Sequence, residues 1–190
     1  MSKLTINLTG QAVKEESSQG FDPIPDGDYK ATIFDVVPGE YASEANKGRP
    51  KFDVQFRIAE GEYLNRRLFT HIPLFTVWGP TKKNPDGADA FAFYDFFGPV
   101  QGKTPKEFRA EVKDIVENGD GQLDLPTPGD LLGKELVITV KKRKDPWAYQ
   151  QALETNPDAK PEDFERNEIS AYTVPSKAEA KTGSVGKFKL

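Results

Sequence analysis

The chain has 190 residues, with 30 Asp and Glu against 26 Lys and Arg, a formal net charge of −4 and no cysteine. That length allows a domain with a sizeable core and excludes a mini-protein that needs covalent staples, while the missing cysteines exclude disulfides, thiolate zinc sites and a cysteine nucleophile. No apolar run approaches the roughly 18 residues of a membrane span and the first residues lack an apolar leader core, so a soluble cytoplasmic protein without membrane contact is expected.

Residues 1–20 are polar after a brief alternation of Leu4, Ile6 and Leu8, which predicts a flexible N-terminal arm. A turn-dense stretch with Pro23, Pro25 and Gly27 leads into a first strand at 29–37. Tyr29, Ala31 and Ile33 fall on one face of it, with Phe34 and Val36 on the other. Residues 38–50 have loop composition and present Lys47 and Arg49 on flexible backbone.

The stretch 51–75 reads as a long hairpin. Phe52, Val54, Phe56 and Ile58 alternate with Lys51, Asp53, Gln55 and Arg57, and period-two alternation sends the two sets to opposite faces. After a turn at Glu60-Gly61-Glu62, Leu68, Ile72 and Leu74 alternate with Arg67, Phe69, His71 and Phe75. The second face combines cations, hydrogen-bonding groups and aromatic planes, a mixture that suits a single-stranded nucleic acid.

Residues 76–89 form an exposed excursion carrying Trp78, Lys82 and Lys83. Two helices follow. One at 88–97 has Phe93, Phe96 and Phe97 on one stripe and should stop before Gly98-Pro99. The other, at 104–117, has Thr104 as N-cap, Pro105 at the first helical position, Glu107 completing a capping box, and Phe108, Val112, Ile115 and Val116 on its apolar face. After a Gly, Pro and Asp loop at 118–130, a fourth strand at 132–144 alternates Leu136, Ile138 and Val140 with Val137, Thr139, Lys141 and Arg143.

Residues 145–167 are a long inserted connection with Trp147, Tyr149, an acidic middle and a short helix near 149–154. A fifth strand at 167–174 bears Tyr172, and 176–190 reads as a flexible basic tail. The expected fold is therefore mainly β, a five-stranded OB-like Greek-key barrel over 21–175 with a helical segment between strands three and four.

Charge is unevenly distributed despite the acidic total. Residues 47–83 carry eight Lys and Arg against three carboxylates, a local balance of +5, and 134–144 carry five against one, a balance of +4. Phosphate contacts are therefore expected from Lys51, Arg57, Arg66, Arg67, Lys141 and Arg143, with Gln55 as a hydrogen-bonding neighbour. Base stacking or base contact is expected from Phe69, His71, Trp78, Trp147 and Tyr172. The competing assignments are a solvated charged face for the cations and core packing for the aromatics.

Enzymatic motifs fail on inspection. The segment 129–135 approximates a phosphate loop, but three residues separate its glycines instead of four, and Glu135 stands where Ser or Thr should hold magnesium. One histidine excludes most triads and His-based metal sites, so neither an enzyme nor a cofactor is expected.

The order of 20–29 (GFDPIPDGDY), 56–68 (FRIAEGEYLNRRL), 132–134 (LGK) and 165–169 (ERNEI) before Tyr172 resembles a family of small phage single-stranded-DNA-binding proteins. The resemblance covers most of the chain and implies an OB-type domain that coats single strands in phage replication or recombination. Replication or recombination proteins as partners, and a homo-oligomer, are compatible with this reading, and the sequence specifies neither. Relative to that family the acidic 154–168 stretch looks inserted, and the final residues are basic where cellular single-strand binders usually end acidic. The inserted stretch could fold over the basic face as an internal DNA mimic. A phage structural or assembly protein that presents its loops to protein partners is the alternative from another class.

Overall fold

The alternation in the 51–75 stretch becomes a hairpin in the computed structural model of the protein, which describes residues 22–119 and 121–175. The expected N-terminal arm at 1–20 and basic tail at 176–190 lie outside these residues. The hairpin is β2 (Pro50–Ile58) and β3 (Arg67–Pro73), and before it runs β1 (Gly27–Glu40). A two-stranded ribbon, β4 (Val77–Trp78) with β5 (Ala88–Asp89), forms the excursion. Helices α1 (Phe91–Val100), α2 (Pro105–Asn118) and α3 (Pro128–Leu131) follow, then β6 (Glu135–Lys144), α4 (Pro146–Thr155) and β7 (Glu165–Thr173).

The main sheet is five-stranded and antiparallel, in the order β3-β2-β1-β6-β7. The molecule is thus mainly sheet, with its principal helices between β3 and β6, as the sequence predicts. No hydrogen-bonded ladder joins β3 to β7, so the sheet is not a closed barrel. The two edges nevertheless approach, with Cα atoms within 8 Å. At one end Arg66 donates to the Asp22 carbonyl (2.8 Å) and Asn167 bonds both backbone groups of Ile24 (2.9 Å each). Further along, the Thr70 and Tyr172 side chains hydrogen-bond. The order of these links means that the edges run parallel across an open seam.

The inner face carries the core. Phe52, Val54, Phe56 and Ile58 are buried as their alternation requires, with Ile33, Leu136, Ile138 and Val140 beside them. The expected parity of β1 holds only as far as Ile33. A bulge between Ile33 and Asp35 sets Phe34 outside the pairing, so Val36 rejoins the buried face, opposite Val54, while Phe34 is turned outward. α1 closes the inner face, with Phe97 packed on Phe52 and Phe96 on Phe56 (ring centroids 6.4 Å each).

α1 does not stop before Gly98-Pro99 but continues to Val100. A proline in the last turn costs one ladder bond, and the burial of Phe96, Phe97 and Val100 offsets it. Gly98 is needed for closeness, since a Cβ there would lie 3.1 Å from the Thr104 carbonyl oxygen at the start of α2. Thr104 and Glu107 form the expected capping box.

The 145–167 connection is mostly structured. Asp145 accepts from the Trp147 and Ala148 amides and starts α4, a 3-10 turn follows at Pro161–Asp163, and β7 begins at Glu165, two residues before the alternation suggested.

Candidate nucleic-acid interface

On the outer face, β2 and β3 pair Asp53 with His71, Gln55 with Phe69, and Arg57 with Arg67. Two arginines directly opposite one another repel, and an outer face built only for stability would not place them there. Neither guanidinium forms an ion pair among the described residues. Instead both lie over the ring of Phe34, at 4.9 Å for Arg57 and 4.7 Å for Arg67. The outward turn of Phe34 at the bulge makes this possible, and the ring's negative face partly offsets the two charges. Next to them Phe69 is 68% exposed, an aromatic plane open to solvent on an edge strand.

An open cleft of about 510 Å³ continues from this face into the seam. It is lined by residues 66–71 on one side and 166–169 on the other, with Pro23 at its end. Arg66, Arg67, Arg166 and His71 stand in it against Glu168, which Arg143 approaches at 3.8 Å. Burial pulls the Arg66 guanidinium below its usual value and the Asp22 charge opposes that; the group remains a cation.

The other nominated residues are dispersed. Lys51 is engaged internally, its Nζ 2.6 Å from Asp53 Oδ1, and His71 Nδ1 bonds the same carboxylate oxygen. Burial pushes the Asp53 carboxyl up, but the hydrogen bonds and charges of Lys51 and His71 outweigh this and hold it below the ordinary carboxylate range. Trp78 is half-buried in a cluster with Phe75 (4.9 Å) and Tyr41 (5.4 Å). Lys141 and Arg143 are exposed on the outer side of β6, beyond Gly27, the first residue of β1. Trp147 is 67% exposed on the first turn of α4.

Tyr172 is the clear correction. It is 5% exposed, wedged against Phe56 (5.8 Å) and Phe96 (5.4 Å), and presents no free ring to a base. Alternation with Ile169 and Ala171 predicts Tyr172 off the more aliphatic face of its strand, but the register shift between Ile169 and Ala171 sets Ser170 outside the pairing and turns Tyr172, opposite Ile138, into the core. Of the carboxylates in the acidic 154–168 stretch, Glu168, already within β7, is the one that forms an ion pair with the basic strand among the described residues, with Arg143 (3.8 Å), while Arg166 of the same stretch pairs back to Asp145 (3.7 Å).

Sequence reasoning missed Phe34, whose role depends on the bulge. It also missed the cluster in which Arg49 stacks 3.6 Å above the Phe75 ring and Lys51 lies 5.6 Å from that of Tyr41. Cation and aromatic residues in one loop region were the available signal. Among the described residues no group of three or more His, Asp or Glu could hold a metal, and no helix is long and apolar enough to cross a membrane. No family model, curated protein or solved structure matches the chain.

Proposed function

We propose that the protein binds single-stranded DNA without sequence preference, across the outer face of β2 and β3 and into the β3/β7 seam. The observation that carries this reading is the directly opposed pair Arg57 and Arg67, without carboxylate partners among the described residues, beside the exposed ring of Phe69. A polyanion relieves the repulsion between the arginines, while stacking on Phe69 accepts any base because every base has a π-face. Duplex DNA has no bases free to stack and should compete poorly.

The proposed fold is an OB-type barrel with an open seam. Its support is the connectivity: a three-strand meander, a return of β6 beside β1, and edges β3 and β7 running parallel. In that fold the face of the second and third strands is the usual oligonucleotide surface. The family resemblance adds a role in phage replication or recombination, in the cytoplasm of the host.

Fluorescence anisotropy of a labelled oligo-dT, titrated at low and moderate salt with duplex competitor, tests the proposal. Salt-sensitive binding that duplex does not displace supports it. Absence of binding at micromolar protein and low salt overturns it and favours the assembly-protein reading, which rests on the exposed α4 arm.

A further inference from the structure

Between the C-terminal half of α2 and the segments 74–77 and 121–125 runs an open groove of about 420 Å³. Leu74, Val77, Ile115, Val116, Leu123 and Leu125 line it, and Val116 is 69% exposed at its rim. Among the described residues its one charged lining side chain is Arg49, which is stacked 3.6 Å above the Phe75 ring. An apolar groove left open to water marks a docking surface.

The α2 side of this groove is acidic. Residues 114–125 hold four carboxylates and no Lys or Arg, and Asp114, Glu117 and Asp124 are exposed. The neighbouring cations on α2 are engaged, Lys113 with Glu117 (3.7 Å) and Arg109 with Asp89. Lys47, Lys82 and Lys83 do not line the groove. α2 also has no basic residue in its last turn, so its own sequence supplies no counter-charge to the negative end of the helix dipole. The ligand that fits is therefore apolar and cationic, the opposite of a nucleic acid.

The chain carries such a segment. Lys187-Phe188-Lys189-Leu190 alternates cations with large apolar side chains, and 176–190 as a whole have four lysines against one glutamate, a balance of +3. Topology brings this segment to the right end of the molecule. β7 runs parallel to β3 across the seam, so Thr173 ends β7 where Pro73 ends β3 and 74–77 begin. Val174 lines a small hollow with Thr104 and Pro105 at the start of α2. From Pro105, Val116 is about 16 Å along the helix at about 1.5 Å per residue. The thirteen residues from Pro175 to Phe188 span up to about 43 Å at about 3.3 Å per residue. The other apolar segment outside the described residues, Leu4 to Leu8, precedes Asp22, which sits beside Arg66 at the opposite end of β3.

We propose that 187–190 docks in the α2 groove of its own molecule, with Phe188 and Leu190 on the apolar floor and Lys187 and Lys189 at the acidic rim. An extended segment presents those two pairs on opposite sides, as the groove requires. The contact goes beyond the nucleic-acid reading and does not depend on it, since it uses α2 and not the outer face of β2 and β3.

The absence of cysteine allows a single nitroxide at Gly186→Cys in the full chain, and the test compares amide signals of the isotope-labelled protein with the nitroxide oxidised and reduced. The oxidised label should broaden the signals of Ile115, Val116, Leu123 and Leu125 and spare those of Gln55 and Phe69 on the outer face. Phe188→Asp with Leu190→Asp should abolish the broadening, and so should Val116→Asp, an exposed position where the strand signals should stay unshifted. Higher salt should weaken it. No broadening at the groove, or broadening that survives both sets of substitutions, overturns the proposal. Equal broadening when nitroxide-bearing chains without isotope are mixed with isotope-labelled chains without nitroxide also overturns it, because the groove then takes the tail of a second copy. With DNA absent, none of these outcomes bears on strand binding.

Discussion

Phe69 and Tyr172 sit on the two facing edge strands and have opposite fates. Phe69 projects from the outer face of β3 and is mostly exposed, so Phe69→Ala should leave thermal stability nearly unchanged. It should weaken oligo-dT binding by about 5- to 150-fold, the equivalent of roughly 1–3 kcal/mol for one lost stacking contact, read by anisotropy. Arg57→Ala or Arg67→Ala should reduce the slope of log affinity against log salt by about 0.7 each, the signature of one phosphate contact to a single strand. Either change also removes the like-charge pair, so the melting temperature should hold or rise.

Tyr172 shows its burial through pH instead. Desolvation raises its hydroxyl well above the ordinary tyrosine value of 10.0, opposed by the Thr70 hydrogen bond and reinforced by the Asp95 charge. The folded state keeps the phenol neutral where the unfolded chain ionises it. That contribution is complete below pH 10.0 and is lost as pH rises above it. Tyr172→Phe cannot ionise, so its unfolding midpoint in denaturant should decline less steeply above that pH than the unaltered chain's. Equal slopes would mean that the ring is accessible to water.

At the scale of elements, α2 and α1 are specified by different forces. α2 carries its start signal locally, in Thr104, Pro105 and Glu107, and Thr104→Ala should cost about 1 kcal/mol, a drop of about 2–4 °C in melting temperature. α1 has no side-chain cap and contains Pro99, so its extent follows from what it buries. For this reason its C-terminal end could not be read from a Gly-Pro signal. The β2/β3 hairpin was legible because alternation and burial agree at every position from Phe52 to Ile58. β1 was legible only up to its bulge, since a single extra residue reverses parity without marking the composition.

For the whole molecule, the open seam makes a dynamic prediction. β1 has a partner strand on each side, β6 over 27–32 and β2 over 31–40, the two ladders overlapping at its centre in residues 31–32, whereas β3 and β7 each have one partner strand. Amides of the β1 centre should therefore exchange hydrogen slowest, and those of β3 and β7 along the seam markedly faster, by mass spectrometry or NMR. Single-stranded DNA bound in the cleft should slow the seam amides and leave the β1 centre unchanged. Uniform exchange across all five strands would contradict an open edge.

By itself the sequence determined a mainly β domain, the hairpin with its two chemically distinct faces, the capped helix α2 and the concentration of cations in 47–83. These depend on side-chain period and local hydrogen bonding, which neighbours in the chain dictate. Only the tertiary structure decided which aromatics are free. Tyr172 went to the core and Trp78 to a cluster, while Phe34 came to lie beneath two arginines. Those outcomes depend on a bulge, a seam and the packing of α1 across the sheet, contacts between residues far apart in the chain that no local pattern records.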